Sequence, residues 1–220
     1  MQSVALIDYG SGNLRSAEKA LQKAAAEHAP GTTVLTTSDP AAVLAADRIV
    51  LPGVGAFAAC INALRARPGL AEAVTEAVRG KGAPFLGVCV GMQLLAGHST
   101  EFGQTPGLGW IAGEVRRLEP AGHQFKVPHM GWNGLDGGEA GAGALQGPLF
   151  AGLPAGTHMY FTHSFAFFPE DEADIAAWTD HGGRFTAAVV RDNMAGVQFH
   201  PEKSQAAGQR LLANFLEWRP

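Results

Sequence analysis

Three short segments almost free of polar residues constrain this chain more than any other feature: Val4-Ala5-Leu6-Ile7, Ile49-Val50-Leu51 and Phe85-Leu86-Gly87-Val88. Short and nearly continuous, each reads as a strand buried on both faces. Helical patterns lie between them. From Asn13 onward, Leu14, Ala17, Leu21 and Ala24 recur at three- and four-residue spacing and give one apolar face. A second helix is expected from Gly69 to Arg79, ended by Gly80 and Gly82. Strands alternating with helices imply βαβ units, and so an α/β fold whose mostly parallel sheet is flanked by helices.

From about Trp110 the texture changes. Gly113–Leu118, Thr157–Phe161, Ile175–Trp178 and Thr186–Arg191 are short strand candidates with turns between them, as in antiparallel hairpins added to an α/β core. The glycine- and alanine-rich stretch Gly134–Gly147 has little periodicity, and a mobile surface loop is expected there. The core pattern then returns with a strand over Ala195–Phe199. A helix follows from about Ser204 to Trp218, with Leu211, Phe215 and Trp218 on one face. Neither flank of the glycine-rich stretch resembles an independent domain, so one domain over residues 1–220 is expected.

Composition removes several functional classes. With 46% apolar and 16% charged residues in 220, the chain supports a sizeable core and is unlike a disordered one. A net charge of −4 gives no basic footprint for nucleic acid. No apolar run approaches the roughly 18 residues of a membrane span, and the start lacks the basic and apolar regions of a secretory signal. The two cysteines, Cys60 and Cys89, are too few for a disulfide framework and suit a reducing compartment, so a cytoplasmic location is expected. No Cys/His cluster has zinc-site spacing, and Asp8-Tyr-Gly-Ser-Gly12 lacks the full glycine spacing of a dinucleotide fingerprint. Neither metal nor cofactor is expected.

The most informative stretch is Gly87-Val-Cys-Val-Gly-Met-Gln93, with a strand before it and a helical pattern after it. Glycines stand two residues either side of Cys89, the arrangement of a nucleophile elbow with Cys in place of Ser. Small neighbours let strand and helix approach closely while the strained turn presents the sulfur. A helix N-terminus following the cysteine would favour the thiolate. A buried structural thiol beside packing glycines fits the same residues. A cysteine nucleophile needs a base and a group to orient that base. Of the eight histidines, only His200 follows an expected core strand and has a carboxylate two residues on, in Val197-Gln-Phe-His-Pro-Glu202. Alone, this turn also suits a strand-ending histidine with an exposed glutamate.

Pro52-Gly-Val-Gly55, Gly87-Val-Cys-Val-Gly-Met-Gln93 and Gln198-Phe-His-Pro-Glu-Lys-Ser204 together resemble the class I (triad) glutamine amidotransferases. Asp8-Tyr-Gly-Ser-Gly-Asn-Leu14, Pro128-His-Met-Gly-Trp-Asn133 and Tyr160-Phe-Thr-His-Ser164 narrow the resemblance to the glutaminase subunits of imidazole glycerol phosphate synthase. The motifs fall in the family's order along nearly the full chain. The resemblance implies a triad of Cys89, His200 and Glu202. It implies an oxyanion hole drawn from the backbone of Val90 and the Gly53-Val54-Gly55 loop. Gln93, Glu101, His163 and Ser164 would bind glutamine. Asn13, Trp132, Asn133, Lys203 and Ser204 would face the partner, a (β/α)8-barrel cyclase held in a heterodimer.

Three features depart from the family pattern. Phe165 stands where a tyrosine is expected, Ala96-Gly97 replaces bulkier residues and should loosen that helix end, and Gly134–Gly147 is longer than expected. An amidotransferase serving a chorismate-using or pyridoxal-phosphate-forming partner is disfavoured by Pro128–Asn133 and Tyr9–Leu14. A γ-glutamyl cysteine hydrolase would share the Cys-His pair but act alone. A non-catalytic binding module on the same fold would have no use for an intact triad.

Overall fold

The structure is a computed structural model and describes residues 1–10, 12–137, 145 and 147–220. Its centre is a seven-stranded sheet. The elements that build its parallel part run β1 (Ser3–Ile7), α1 (Leu14–His28), β2 (Thr33–Thr37), α2 (Pro40–Ala45), β3 (Arg48–Gly53), α3 (Phe57–Ala66), α4 (Leu70–Thr75) and β4 (Phe85–Cys89). After the one-turn α5 (Val90–Gln93) come β5 (His98–Ser99), β6 (Thr105–Pro106), β7 (Gly113–Arg117), β8 (His129–Gly134), β9 (His158–His163) and β10 (Phe165–Pro169). The chain closes with β11 (Ile175–Asp180), β12 (Arg184–Arg191), β13 (Met194–Val197) and α6 (Gln205–Glu217).

The three apolar runs are β1, β3 and β4, and every residue of β3 and β4 is buried. The large sheet has the order β11-β12-β13-β4-β3-β1-β2. Strands β2, β1, β3, β4 and β13 run parallel, and the β11–β12 hairpin adds two antiparallel strands at one edge. Strands β10-β7-β5-β6 form a second sheet, and β8 pairs with β9 in a separate ribbon. The expected α/β core with added hairpins is therefore what forms. On the helical layers, α1 packs against α6 and α2 against α4.

Some elements carry weaker sequence signals. β2 is an edge strand of sequence Thr-Val-Leu-Thr-Thr with no fully buried residue, so it lacks the apolar run that marked its neighbours. α2 is six residues long, started by Pro40 and by Asp39, whose side chain accepts from the Ala41 N–H. α3 buries Phe57, Cys60, Ile61 and Leu64, a helical spacing that the sequence did display. The helix expected over Gly69–Arg79 is α4 followed by a π-helical turn at Glu76–Gly80.

One local expectation changes, and another falls mostly outside the described residues. Ala96 and Gly97 do not loosen a helix end: Ala96 is fully buried, and a Cβ on Gly97 would lie 3.2 Å from the Gly113 carbonyl. A small residue at Gly97 lets the chain lie close to β7 as it enters β5. Of the glycine-rich stretch Gly134–Gly147, residues 138–144 and 146 lie outside the described residues, and the expected mobile loop falls mostly on them. Its near end is tied down, with Gly134 ending β8 and Asp136 bridging to Trp178.

Candidate active site

The site is assembled at the carboxyl ends of three adjacent parallel strands. Register pairs Gly53 with Cys89 and Val197 with Val88, so β3, β4 and β13 end side by side. One supplies the Gly53-Val54-Gly55 loop, the next Cys89, and the third leads through Gln198 into His200. In open α/β sheets ligands bind at this edge, because strand ends there release loops and helix starts around one crevice.

Cys89 has φ of 56°, a left-handed conformation that a non-glycine residue adopts only under strain. This is the elbow. Its glycine frame is sterically required. A Cβ on Gly91 would lie 1.8 Å from the Leu51 carbonyl oxygen, and one on Gly87 would lie 2.5 Å from the Gly91 oxygen. The helix behind the nucleophile is only one turn long. Its dipole is correspondingly small, and the titratable group set against Cys89 is His200.

His200 is 3% exposed, and its Nδ1 lies 2.8 Å from Glu202 Oε1. Its Nε2 is buried and meets no partner with hydrogen-bond geometry among the described residues. Burial is the largest influence on the ring and disfavours its charge. Cys89 and Glu202, both acting on the imidazole, outweigh burial and raise its pKa to about 9. An imidazolium is thus held between a sulfur and a carboxylate, an arrangement suited to nucleophilic attack followed by proton delivery.

A cleft of about 440 Å³ opens over these groups, lined among others by Val54, Val90, Gln93, Glu101, His163 and Lys203. Ser164 and Phe165 also line it. Val90 begins α5, so its N–H has no intrahelical partner. Val54 is 42% exposed at the mouth, and its carbonyl accepts from the Cys60 thiol at 3.3 Å. Gly53 is packed tightly: a Cβ there would lie 2.8 Å from the Gly91 nitrogen and 2.9 Å from the Tyr9 hydroxyl. Gly55 has φ of 91° and open space around it.

The polar side chains of the cleft are partly engaged with the protein itself. Glu101 accepts from the Phe57 N–H at 2.7 Å, so one carboxylate oxygen caps α3 directly behind the Gly53–Gly55 loop. Gln93 donates to the Phe165 carbonyl at 2.9 Å and to Gln198 Oε1 at 3.0 Å, which leaves its own oxygen as the remaining polar atom. His163 presents the cleft with a ring whose nitrogens are both engaged. Nδ1 donates to the Phe165 carbonyl, so Nε2 accepts from His129 Nδ1 at 3.1 Å. Burial pushes His163 down to about 3 and His129 down to about 4, so both rings are neutral near pH 7.

The residues expected to face a partner divide. Asn13 is exposed at the start of α1, Trp132 is 46% exposed beside Tyr160, and the exposed Lys203 places its ammonium 5.6 Å from the Tyr160 ring centroid. Asn133 is turned inward, bonding His129 Nε2 and the Asp180 carbonyl. Ser204 is corrected outright: at 1% exposure it cannot form a surface, and its hydroxyl donates to the His200 carbonyl at 2.6 Å while accepting from the Tyr160 N–H. It braces the turn that carries His200. Gln198, overlooked as a site residue, sits fully buried against Cys89. Its place in the same short motif as His200 was the available signal. Among the described residues, no group of three His, Cys, Asp or Glu gathers as a metal site.

The family model for glutamine amidotransferase class-I matches residues 5–218. The chain is 58% identical over 222 residues to the imidazole glycerol phosphate synthase subunit HisH of Caulobacter vibrioides, covering 100% of both chains. It is 54% identical to the subunit of that name from Rhodospirillum rubrum, covering 99% of each. Among solved structures, a glutamine amidotransferase superposes with a TM-score of 0.70 at 19% identity, covering 97% of each chain, which speaks for the fold alone. Another, from Thermotoga maritima, gives 0.59 at 17% identity, covering 91% of this chain and 76% of that one. With an elbow cysteine facing a histidine–glutamate pair on this sheet, the chain belongs to the class I glutamine amidotransferases, in the family of imidazole glycerol phosphate synthase HisH subunits.

Proposed function

We propose that the chain hydrolyses L-glutamine to glutamate and ammonia, as the glutaminase subunit of imidazole glycerol phosphate synthase in histidine biosynthesis. The observation that carries this reading is the strained Cys89 set beside a buried imidazole whose Nδ1 lies 2.8 Å from the Glu202 carboxylate. Cys89 sulfur attacks the side-chain amide carbon of glutamine. The proton on His200 passes to the departing nitrogen, which leaves as ammonia, and a glutamyl thioester remains. His200, now neutral, takes a proton from water as the water adds to the thioester. Glutamate departs, and the sulfur and imidazolium are restored.

The oxyanion of each tetrahedral intermediate needs donors aimed at it. Val90 N–H supplies one, and the Gly53-Val54-Gly55 loop supplies the second after its peptide rotates. Loss of one such donor costs about 2.7–4 kcal/mol in the transition state. With the Val54 carbonyl now bonded to Cys60, the loop is read as resting, and the assembled complex turns it over. Glutamine is held by the free oxygen of Gln93, by Glu101 and by the wall of Ser164 and His163.

Ammonia released to water is mostly converted to the non-nucleophilic ammonium ion. An enclosed transfer to a (β/α)8-barrel cyclase, bound as a heterodimer in the cytoplasm, avoids that loss. The exposed side chains of Asn13, Trp132 and Lys203, of which Lys203 lines the cleft, offer a face for this partner. The whole chain, residues 1–220, acts as one amidotransferase domain. The test is glutamate release by wild type and Cys89→Ala, with and without the cyclase and its nucleotide substrate. Release that requires the assembled complex and vanishes in Cys89→Ala is the expected result. Full release by the isolated chain would instead indicate a stand-alone hydrolase.

A further inference from the structure

Gln198 ends against the nucleophile. Its Nε2 lies 3.7 Å from Cys89 Sγ, and the residue is 0% exposed where β13 gives way to the His200 turn. The roles assigned above to Cys89, His200 and Glu202 leave this contact unused.

The direction of the contact is fixed from a distance. The Phe165 carbonyl can only accept, so the nitrogen of the Gln93 amide must face it. The second N–H of Gln93 then points at Gln198 and requires its oxygen there. The amide nitrogen of Gln198 is thereby turned toward sulfur. Reversing either amide would set two acceptors or two donors face to face.

We propose that Gln198 is a fourth working group of the nucleophile, an N–H donor that holds Cys89 sulfur and favours its anionic form, with Gln93 as its brace. A thiol that accepts from Gln198 turns its own S–H away, toward His200 Nε2, the buried atom with no other partner among the described residues. The proton then passes from sulfur to nitrogen, and the Gln198 N–H remains to stabilise the thiolate. Gln93 thereby has two duties: its nitrogen fixes Gln198 while its oxygen faces the cleft. The inference rests on the proposed glutaminase chemistry only for its effect on turnover.

Two variants test it. Gln198→Met keeps the volume and removes the donor. Gln198→Glu keeps an oxygen for Gln93 and sets a second acceptor against sulfur. The first readout is the rate of Cys89 alkylation by iodoacetamide in the isolated chain between pH 5 and 10, followed by peptide mass. The second is kcat and KM for glutamine in the complex with the cyclase. A hydrogen bond of ordinary net worth predicts alkylation about 3- to 10-fold slower at pH 7 in Gln198→Met, with its pH profile displaced upward. kcat should fall by a similar factor while KM moves less than about 2-fold, and Gln198→Glu should lose more. Unchanged alkylation profiles in the folded variants, or a change in KM alone, would reduce Gln198 to a packing residue. If Gln198→Met does not fold, Gln198→Glu decides by the same measurement. Alkylation needs neither glutamine nor partner, so a wrong choice of partner would leave this result standing.

Discussion

His200 Nδ1 lies 2.8 Å from Glu202 Oε1 across a turn of only two residues, and both side chains are almost wholly buried. So short a link makes the pair a product of local backbone geometry, fixed by Pro201 and by the Ser204 hydroxyl on the His200 carbonyl. Glu202→Gln removes the charge and keeps the shape. kcat should fall roughly 100-fold or more, because both the tautomer and the charged state of the base are lost.

The same pair has a signature in stability. The His200 pKa is raised above its ordinary value of 6.5 to about 9, so the native state binds the proton more tightly than the unfolded chain. The resulting stabilisation is fully present below about pH 6.5 and disappears as pH rises through about 9. Denaturant unfolding of wild type should therefore weaken across that window. In Glu202→Gln the slope should be shallower, and an identical slope in both proteins would contradict the assignment.

His129 and His163 act in the opposite direction. Burial lowers them to about 4 and about 3, so the unfolded chain takes up protons that the native chain refuses. Stability is retained above about pH 6.5 and falls as the solution is acidified toward those values. His163→Gln should flatten this acid limb, whatever its effect on stability at pH 7. Unfolding curves at pH 7, 6, 5 and 4 measure the difference.

Gly91→Ala tests the elbow. An added carbon 1.8 Å from the Leu51 oxygen must displace the backbone of β3 or of α5. Overpacking of this kind costs about 3 kcal/mol, which lowers the thermal midpoint by roughly 6–12 °C in a chain of this size. Gly31→Ala is the control. Its added carbon meets nothing within 4 Å, although φ is 89°, and the strain alone should cost roughly 1–2 kcal/mol.

Cys60→Ala tests the resting loop. The Cys60 thiol bonds the Val54 carbonyl at 3.3 Å and sits in α3, away from the reacting atoms. Removing this bond should raise glutamate release by the isolated chain about 2- to 10-fold, from the net worth of one hydrogen bond. Release in the full complex should change little. Equal idle turnover in the two proteins would show that this bond does not hold the loop back.

Much of this protein is legible in its sequence, for physical reasons that are local. Strands buried on both faces must be continuously apolar, so β1, β3, β4 and their order with helices can be read directly. The elbow is legible because its glycine frame stands within two residues of Cys89, although only the Gly87 contact is local and Gly91 is required by Leu51 on the neighbouring strand, and the histidine–glutamate pair because two residues separate its members. β2 escapes notice because an edge strand needs no apolar run, and α2 because six residues are too few to display a period. The register that sets Gly53 beside Cys89 and Val197 beside Val88 belongs to the tertiary structure, since strand pairing joins segments far apart in the chain. So does the inward turn of Asn133 and Ser204, which neighbouring residues alone do not dictate. The chain of amides from Phe165 through Gln93 and Gln198 to Cys89 joins β10, α5, the turn after β13 and β4, and the direction of each hydrogen bond follows from the one before it. Sequence singled out Cys89 and His200 as the proposed nucleophile and base; only packing could decide which buried side chains turn toward them.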